Sequence, residues 1–374
     1  MADESANDVE ARSMLRWVWS PGDRAQQQAR IESVGVCVPV RRTRSRTVGG
    51  ADGCGGPVDV EQLSGIGERR ECVDGEDSRS LAIAAATDCL EQSAVAAEDL
   101  EVLMFCGISK TDGSCRLYRG APTLAAIVAA EIGARAALPI DVGNACAGML
   151  TGIYVLDDLI RRGVVRSGMV VSGEHISPLA REAAAHVTGP THPEAATLTL
   201  GDAGAAVILQ RADGQRDGIV GRRFVTLAEH AGLCTARPRV DAPGVRMLTQ
   251  ARSIHYHAIR ATPFIVRSAL CEAGIAFEDI DHVVMHQTAQ IAIKRCASWC
   301  AEVLGSDAPS WVVNVDRFGN TASTAQILAL HGCLREGSIR PGQRVLLIAQ
   351  ASGIVVGALV VIIGELGAGR AGAH

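Results

Sequence analysis

The sequence predicts an α/β protein in which strands and helices alternate along two successive halves. Hydrophobic residues make up 48% of the 374 residues and charged residues 21%, a composition that favours a large core and excludes a disordered polymer. Short Val- and Ile-rich runs alternate with segments of helical period, before and after a polar break near Gly214. Such alternation is typical of layered α/β folds with largely parallel sheets.

The first half carries strand and helix patterns in turn. Residues 31–36 alternate apolar and polar side chains as a strand does, and residues 78–93 place Leu81, Ala85 and Cys89 on one helical face. The further predicted elements are a strand (100–106), a helix (123–132), a strand (138–142), a helix (144–162), a strand (167–173) and two strands within 197–209.

The second half repeats this order. It predicts a helix (253–273), a strand (282–285), a helix (291–304), a strand (311–315), a helix (322–336) and a closing pair of strands. We therefore divide the chain into an N-terminal extension (1–30), a first half (31–213), a second half (214–365) and a flexible tail (366–374).

Residues 345–364 are long and apolar enough to suggest a membrane span. However, Gln350, Ser352 and Gly353 interrupt the middle, and Val and Ile runs are strand-like. We expect two buried strands joined by a turn, and no membrane association.

Charge and cysteine usage narrow the functional classes. With 36 Lys and Arg against 41 Asp and Glu, the net charge is −5, so no basic field favours nucleic acid. The first ten residues contain no apolar stretch, and the twelve Cys are scattered; we expect no signal peptide and reduced thiols. Cys296 and Cys300 are interpreted as buried side chains. These features indicate a cytoplasmic protein without metal or other cofactor.

Cys146 is the candidate nucleophile. Residues 141–148 read as a strand, a tight turn and a helix start, with Cys146 in the first helical turn. Unpaired N–H groups and the helix dipole there are expected to lower the thiol pKa. The small neighbours Ala145, Ala147 and Gly148 leave room for a thioester.

Two further strand ends carry polar side chains. His286 follows the strand at 282–285, and Asn320 lies in a Gly-Asn turn after the strand at 311–315. Because the carboxyl ends of parallel strands converge on one site, we expect Cys146, His286 and Asn320 to meet there.

With these motifs the chain resembles the β-ketoacyl synthase III family of the thiolase superfamily, the initiating condensing enzymes of fatty acid and polyketide synthesis. The resemblance runs from about residue 31 to residue 363. The motifs that carry it are Gly65-Ile66-Gly67-Glu68-Arg69-Arg70, Asn144-Ala145-Cys146-Ala147-Gly148, Gly201-Asp202-Ala203-Gly204-Ala205, His286-Gln287 and Gly319-Asn320-Thr321-Ala322-Ser323.

The resemblance implies a duplicated five-layer α-β-α-β-α fold, a homodimer, and acyl carrier protein or coenzyme A thioesters as partners. It implies that Cys146 accepts the acyl group and that His286 and Asn320 promote decarboxylation of a malonyl thioester. The oxyanion of acyl transfer is expected on the N–H of Cys146 and an N–H of the Ser352–Gly353 turn.

Departures from the family pattern indicate specialised metabolism. Members that use coenzyme A carry Trp and Arg where this chain has Asp59 and Leu63, which favours a carrier protein as donor. Ala121 replaces a bulky residue before Pro122, which predicts a roomier acyl pocket.

Other replacements lie beside the catalytic motifs. Thr288-Ala289 follows His286-Gln287, and Phe318 replaces a common His. Near the expected entrance, three cations are candidates for contact with an acidic carrier protein: Lys294, Arg295 and Arg317.

Four alternatives stay open. An acyltransferase to a hydroxyl or amine would not need Asn320, so Asn320 favours condensation. A non-decarboxylating condensing enzyme would need a carboxylate base, and the nearest in sequence, Glu174 and Glu131, show no path to the thiol. A papain-like hydrolase shares the order Cys, His, Asn and the 140-residue gap (286 − 146 = 140), but its local cysteine motif is missing. A non-catalytic relative would be expected to lack Cys146.

Overall fold

The computed structural model describes residues 28–45, 58–110, 122–212, 217–239, 245–306 and 309–367. Residues 1–27 of the expected extension, Ala121, the break at Gly214 and the end of the tail lie outside these ranges. The proposed division of the chain therefore stays a prediction.

Strands and helices alternate along both halves, in general agreement with the sequence pattern. The first half contains β1 (Gln28–Cys37), β2 (Arg41–Arg44), α1 (Val60–Ser64), β3 (Glu68–Glu71), α2 (Ser78–Glu91), β4 (Val102–Phe105), α3 (Leu124–Glu131), β5 (Leu138–Asp141), α4 (Gly148–Arg161), β6 (Ser167–Glu174), α5 (Ser177–Ala184) and β7 (Ala203–Ala212). The second contains β8 (Gly218–Thr226), β9 (Cys234–Pro238), β10 (Val245–Thr249), α6 (Ala251–Ala273), β11 (His282–Met285), α7 (Gln290–Leu304), β12 (Ser310–Trp311), α8 (Val315–Phe318), α9 (Ala325–Glu336), β13 (Arg344–Ala351) and β14 (Val355–Ile362).

Two five-stranded sheets share one topology. Their strand orders are β1-β7-β6-β4-β5 and β8-β14-β13-β11-β12. In each sheet the first two pairings are antiparallel and the last two parallel, so the expectation of largely parallel sheets is wrong. The repeated order shows an internal duplication. Strands β13 and β14 are joined by a tight turn, which permits only antiparallel pairing, whereas the other three antiparallel pairs join strands that are distant in sequence.

Five layers follow from how the helices cover the sheets. Helices α4 and α9 lie between the sheets within one apolar core, which includes Ile153, Leu156, Ile327 and Leu330. Helices α2 and α3 cover the outer face of the first sheet, and α6 and α7 cover that of the second. The five-layer α-β-α-β-α fold is therefore confirmed.

Three local predictions need correction or refinement. Residues 195–199 form a 3-10 turn and only β7 is a strand in the 197–209 segment. Strand β12 is shorter than predicted and ends at Trp311, and beyond it the N–H of Asn314 donates to the Gln287 side chain at 3.1 Å. The predicted helices at 144 and 322 each begin as 3-10 turns, at 145–147 and 322–324.

The apolar segment at 345–364 forms the antiparallel pair β13 and β14, as predicted. Its strands are buried between helices, which accounts for the continuous hydrophobicity. Within the described residues, no helix combines the length and apolar character needed to cross a bilayer.

Gly148 lets α4 approach the end of β4, and its replacement should destabilise the fold. A Cβ at Gly148 would lie 2.2 Å from the carbonyl oxygen of Cys106. We expect Gly148→Ala to lower the free energy of unfolding by about 1–3 kcal/mol through overpacking, measured by urea unfolding.

Gly332, in the middle of α9, is the matched control. A Cβ there meets no atom within 4 Å, so Gly332→Ala should stabilise the protein by up to about 1 kcal/mol through helix propensity. Equal stabilities for the two variants would contradict the proposed close approach at Gly148.

Candidate active site

The structure brings Cys146, His286 and Asn320 to one cavity of about 420 Å³. Cys146 lies on the 3-10 turn between β5 and α4, and His286 follows β11 directly. Asn320 lies between α8 and the 3-10 turn at 322–324. Most of the cavity wall is apolar, and none of its lining residues that the structure describes is Asp or Glu.

Strained backbone marks two equivalent turns of the duplicated fold. Ala145 has φ of 43° and Ala322 has φ of 49°, a left-handed conformation that costs a non-glycine residue on the order of 1 kcal/mol or more. Ala145 precedes Cys146, and Ala322 precedes Ser323 at the corresponding point of the second half. Such strain is concentrated at functional sites.

His286 is held as a neutral imidazole. Its side chain is buried, and this burial is the main cause that lowers its pKa to about 3. The charge of the nearby His255 is a smaller cause. Within the described part of the chain its Nδ1 has no hydrogen-bond partner. A neutral ring retains one N–H donor and one acceptor nitrogen, so His286 can donate a hydrogen bond without carrying a charge.

Asn320 is oriented by its own turn. Its Oδ1 accepts the N–H of Ala322 at 3.0 Å, which leaves the Nδ2 group as a donor towards the cavity. Its backbone N–H donates to Thr199 and its carbonyl accepts from Gly201, at 2.9 and 3.0 Å. This close approach requires Gly201, since a Cβ there would lie 2.2 Å from the carbonyl oxygen of Phe318.

The pKa of the Cys146 thiol differs from the prediction. Burial is the largest cause that raises its pKa to about 12, and the charges of Glu174 and Cys234 are smaller causes. A hydrogen bond from its own backbone N–H lowers the pKa but offsets only part of this rise. The expected lowering of the pKa by the helix start is therefore wrong. Desolvation by the apolar cavity outweighs the N–H groups, so the resting nucleophile is a thiol.

The other predicted site residues lie in several places. Ser352 lines the cavity at the turn between β13 and β14, and Gly353, with φ of 135°, is next to it in that turn. Pro122 is exposed and is not among the lining residues, while Ala121 lies outside the described ranges. Their roles in the oxyanion site and acyl pocket stay predictions.

The three candidate cations lie at different places on the structure. Arg295 lines both the catalytic cavity and an adjacent cleft of about 520 Å³. Lys294 is exposed on α7 without lining either, and Arg317 lines a different cleft beside Phe318.

The two carboxylates considered as bases do not face the cavity. Glu131 is half-exposed on α3 and pairs with Arg79. Glu174 is fully buried, accepts N–H groups of Ile108 and Ser109 at 3.0 Å each, and accepts the hydroxyl of Ser323. Glu174 therefore ties loops of both halves together.

Sequence patterns missed two cavity residues, His255 and Cys234. His255 lies on α6, its Nε2 3.3 Å from the Thr288 hydroxyl, and it lines both the cavity and the adjacent cleft. Cys234 begins β9. Neither lies in a recognisable motif, so only the tertiary packing identifies them.

Three buried side chains, Cys72, His175 and Asp202, place possible metal ligands within 4.8 Å of one another. Asp202 is already saturated, since Oδ1 accepts the N–H groups of Ile176 and Ser177 at 2.7 Å each. Its Oδ2 accepts the Cys72 N–H at 2.8 Å and the Ser177 hydroxyl at 2.6 Å. The cluster is a hydrogen-bond network that joins β6 to the Gly-Asp motif.

Comparisons with known proteins identify the family of the chain. The family descriptions "3-Oxoacyl-[acyl-carrier-protein (ACP)] synthase III" and "3-Oxoacyl-[acyl-carrier-protein (ACP)] synthase III C terminal" match residues 140–226 and 270–363. A β-ketoacyl-[acyl-carrier-protein] synthase III of Symbiobacterium thermophilum is 30% identical over 314 residues, covering 80% of this chain and 88% of the relative. One from Oceanobacillus iheyensis is 26% identical, covering 80% and 88%.

Solved structures show the same fold. The 3-oxoacyl-[acyl-carrier-protein] synthase III of Aquifex aeolicus superimposes with a TM-score of 0.74 at 22% identity, covering 89% of this chain and 99% of that one. A variant of OleA from Xanthomonas campestris gives 0.77 at 23% identity, covering 92% and 100%. The family matches, together with this duplicated fold, define the chain as an enzyme of the thiolase superfamily. Within that class, the chain belongs to the β-ketoacyl-[acyl-carrier-protein] synthase III family.

Proposed function

We propose that the protein transfers an acyl group from a thioester to Cys146 and then condenses it with a malonyl thioester, with loss of carbon dioxide, in specialised fatty acid or polyketide metabolism. One observation carries the proposal: Cys146, the neutral His286 and the donor-oriented Asn320 line a single apolar cavity.

Acyl transfer begins at the Cys146 thiol. The sulfur forms a bond to the acyl carbon, the donor's carbon–sulfur bond breaks, and the Cys146 proton passes to the departing sulfur. The transient oxyanion is received by the N–H of Cys146 and an N–H of the Ser352–Gly353 turn.

Decarboxylation uses the two neutral donors. As carbon dioxide leaves the malonyl thioester, negative charge develops on the thioester oxygen, and His286 and Asn320 donate hydrogen bonds to it. Each such donor in a water-excluded site contributes about 3 kcal/mol. The carbanion then attacks the acyl carbon, and Cys146 is released as the leaving group.

The cleft beside the cavity is proposed to receive an acidic carrier protein. Three exposed arginines, Arg252, Arg260 and Arg295, line it together with Trp299, and the Arg260 guanidinium lies 5.8 Å from the Trp299 ring centre. Leu63, 51% exposed at the cavity wall, offers no charge for a nucleotide phosphate. The positive charge of this cleft is complementary to an acidic carrier protein.

Replacing an arginine of this cleft with glutamate should impair acyl loading from the carrier protein. We expect Arg260→Glu or Arg295→Glu to raise the KM for acyl-carrier protein by about tenfold or more, because like-charge contacts cost several kcal/mol. Loading from a small acyl thioester without carrier should be unchanged in Arg260→Glu, because Arg260 does not line the catalytic cavity. Lys294→Glu and Arg317→Glu, outside this cleft, are matched controls. A larger effect at Arg317 would move the docking surface to its own cleft.

Dimer formation is part of the same proposal. Strand β5 lies at one end of the first sheet, and its Leu138 is 59% exposed. An open, apolar sheet edge of this kind favours pairing with a second copy. Sedimentation of the full chain should give twice the monomer mass of 39.1 kDa.

The chemistry is tested by mass spectrometry of the intact protein. Acyl-coenzyme A and acyl-carrier thioesters are offered in turn, followed by a malonyl thioester labelled in its free carboxylate. Loading on Cys146 and release of labelled carbon dioxide support condensation. Loading followed by ester or amide formation without gas release would instead indicate an acyltransferase. His255, which also lines the cavity, would serve as the base in that reaction.

A further inference from the structure

The catalytic cavity contains a second thiol. Of the ten cysteines in the described ranges, Cys146 and Cys234 are the two that line it, and both are half-buried. The family function as proposed uses only Cys146, so Cys234 has no role in it.

The two-stranded ribbon of β9 and β10 places Cys234 in the wall of the cavity that contains the nucleophile. Cys234 pairs with Thr249 across the ribbon, and Met247 precedes Thr249 by two residues. Because side chains alternate between the faces of a strand, these three share one face, and all three line the cavity. Met247 and Cys146 pack against the same small apolar cluster, formed by Ile176, Leu200 and Ala322.

The electrostatics agree with this placement. A charge on Cys234 is, after burial and Glu174, a cause that raises the pKa of Cys146, which agrees with the two thiols lining one cavity. The polar contact of Cys234 is to the Thr249 hydroxyl, at 3.4 Å, and a thiol is a weak donor. Within the described ranges β9 and β10 pair as strands only with each other, so an adjustment towards disulfide geometry breaks no larger sheet. It does move the ribbon against its hydrogen bonds to Pro193 and Thr197.

We propose that Cys234 is a resolving thiol that closes a reversible disulfide with Cys146. A hydroperoxide first oxidises the Cys146 sulfur to a sulfenic acid and is itself reduced to the alcohol or water. The Cys234 sulfur then attacks, the S–S bond forms, and the sulfenic oxygen leaves as water with the Cys234 proton. A dithiol reductant reverses the reaction by thiol exchange.

The disulfide occupies the sulfur that would accept the acyl group. Oxidation therefore switches acyl loading off while protecting Cys146 from irreversible sulfinic acid. This consequence rests on the proposed function, whereas formation of the cross-link does not.

The cross-link is tested directly on the full chain. The protein is treated with hydrogen peroxide at alkaline pH, blocked with N-ethylmaleimide and digested with trypsin. Fragments 136–161 and 224–239 contain Cys146 and Cys234 as their only cysteines, since the bond before Pro238 resists trypsin. We expect these fragments to be joined, with a loss of two hydrogens, and to separate on reduction.

Variants separate the possible outcomes. In Cys234→Ser, peroxide should give sulfinic or sulfonic acid on Cys146 and a loss of loading that reductant does not restore. Cys333→Ser, which removes a half-buried thiol outside the cavity, should behave as the parent. Free Cys234 beside oxidised Cys146 in the parent would overturn the proposal. A cross-link in a protein that never loads acyl groups would instead overturn the proposed function alone.

Discussion

Replacing His286 or Asn320 should abolish decarboxylation while leaving acyl loading of Cys146 largely intact. Both side chains are proposed to donate to the enolate oxygen, which exists only in the second half-reaction. Removal of one such donor lowers the rate by about 10²–10³-fold. We therefore expect this loss for His286→Ala and Asn320→Ala, measured as carbon dioxide release from a malonyl thioester, with loading followed separately by mass spectrometry.

Asn320→Asp is the sharper variant. It preserves the shape of the side chain but replaces the Nδ2 donor with a carboxylate oxygen, which repels the developing enolate. Its decarboxylation rate should be no higher than that of Asn320→Ala. His331→Ala, at a half-buried histidine that lines a different cleft, should keep both half-reactions. If loading and decarboxylation fell in parallel in the His286 and Asn320 variants, the separation of roles would be wrong.

The reactivity of Cys146 should keep rising with pH well beyond the range of an ordinary cysteine. Its pKa of about 12 means that the thiolate fraction grows about tenfold per pH unit through pH 10. A cysteine with an ordinary pKa of 9.0 would level off there. The measurement is the rate of iodoacetamide modification of fragment 136–161. A plateau below pH 9 would contradict the desolvated thiol.

Decarboxylation should respond differently. A histidine of pKa 6.5 becomes cationic as the pH falls to 5, but burial lowers the pKa of His286 to about 3. His286 therefore remains neutral across this range. We therefore expect that titration of His286 does not lower the decarboxylation rate between pH 8 and pH 5.

Glu174 offers a test of what raises the Cys146 pKa. Its charge is the second cause after burial, so Glu174→Gln should shift the alkylation profile of Cys146 to lower pH. Ser323→Ala removes a hydrogen bond to Glu174 but keeps the charge, and it should not produce that downward shift. An unshifted profile in Glu174→Gln would show that the Glu174 charge is not one of the causes.

Much of the fold could be predicted because its signals are local. Alternation in β1, the helical period of α4 and the glycines that end helices are properties of neighbouring residues, readable without contacts. The same local patterns predict Cys146, His286 and Asn320 at strand ends. This position is confirmed for Cys146 and His286, whose convergence follows from a general property of α/β sheets, whereas Asn320 follows helix α8.

Other features depend on segments that are distant in sequence. The antiparallel half of each sheet, the ribbon of β9 and β10, and the positions of Cys234 and His255 arise only when both halves pack together. The acidity of Cys146 has the same origin, because desolvation depends on the whole cavity wall and opposes the local helix start. Local sequence thus determined the elements and the three candidate catalytic residues, whereas tertiary packing decided strand pairing, the remaining cavity residues and the protonation states, since these depend on which distant atoms exclude water.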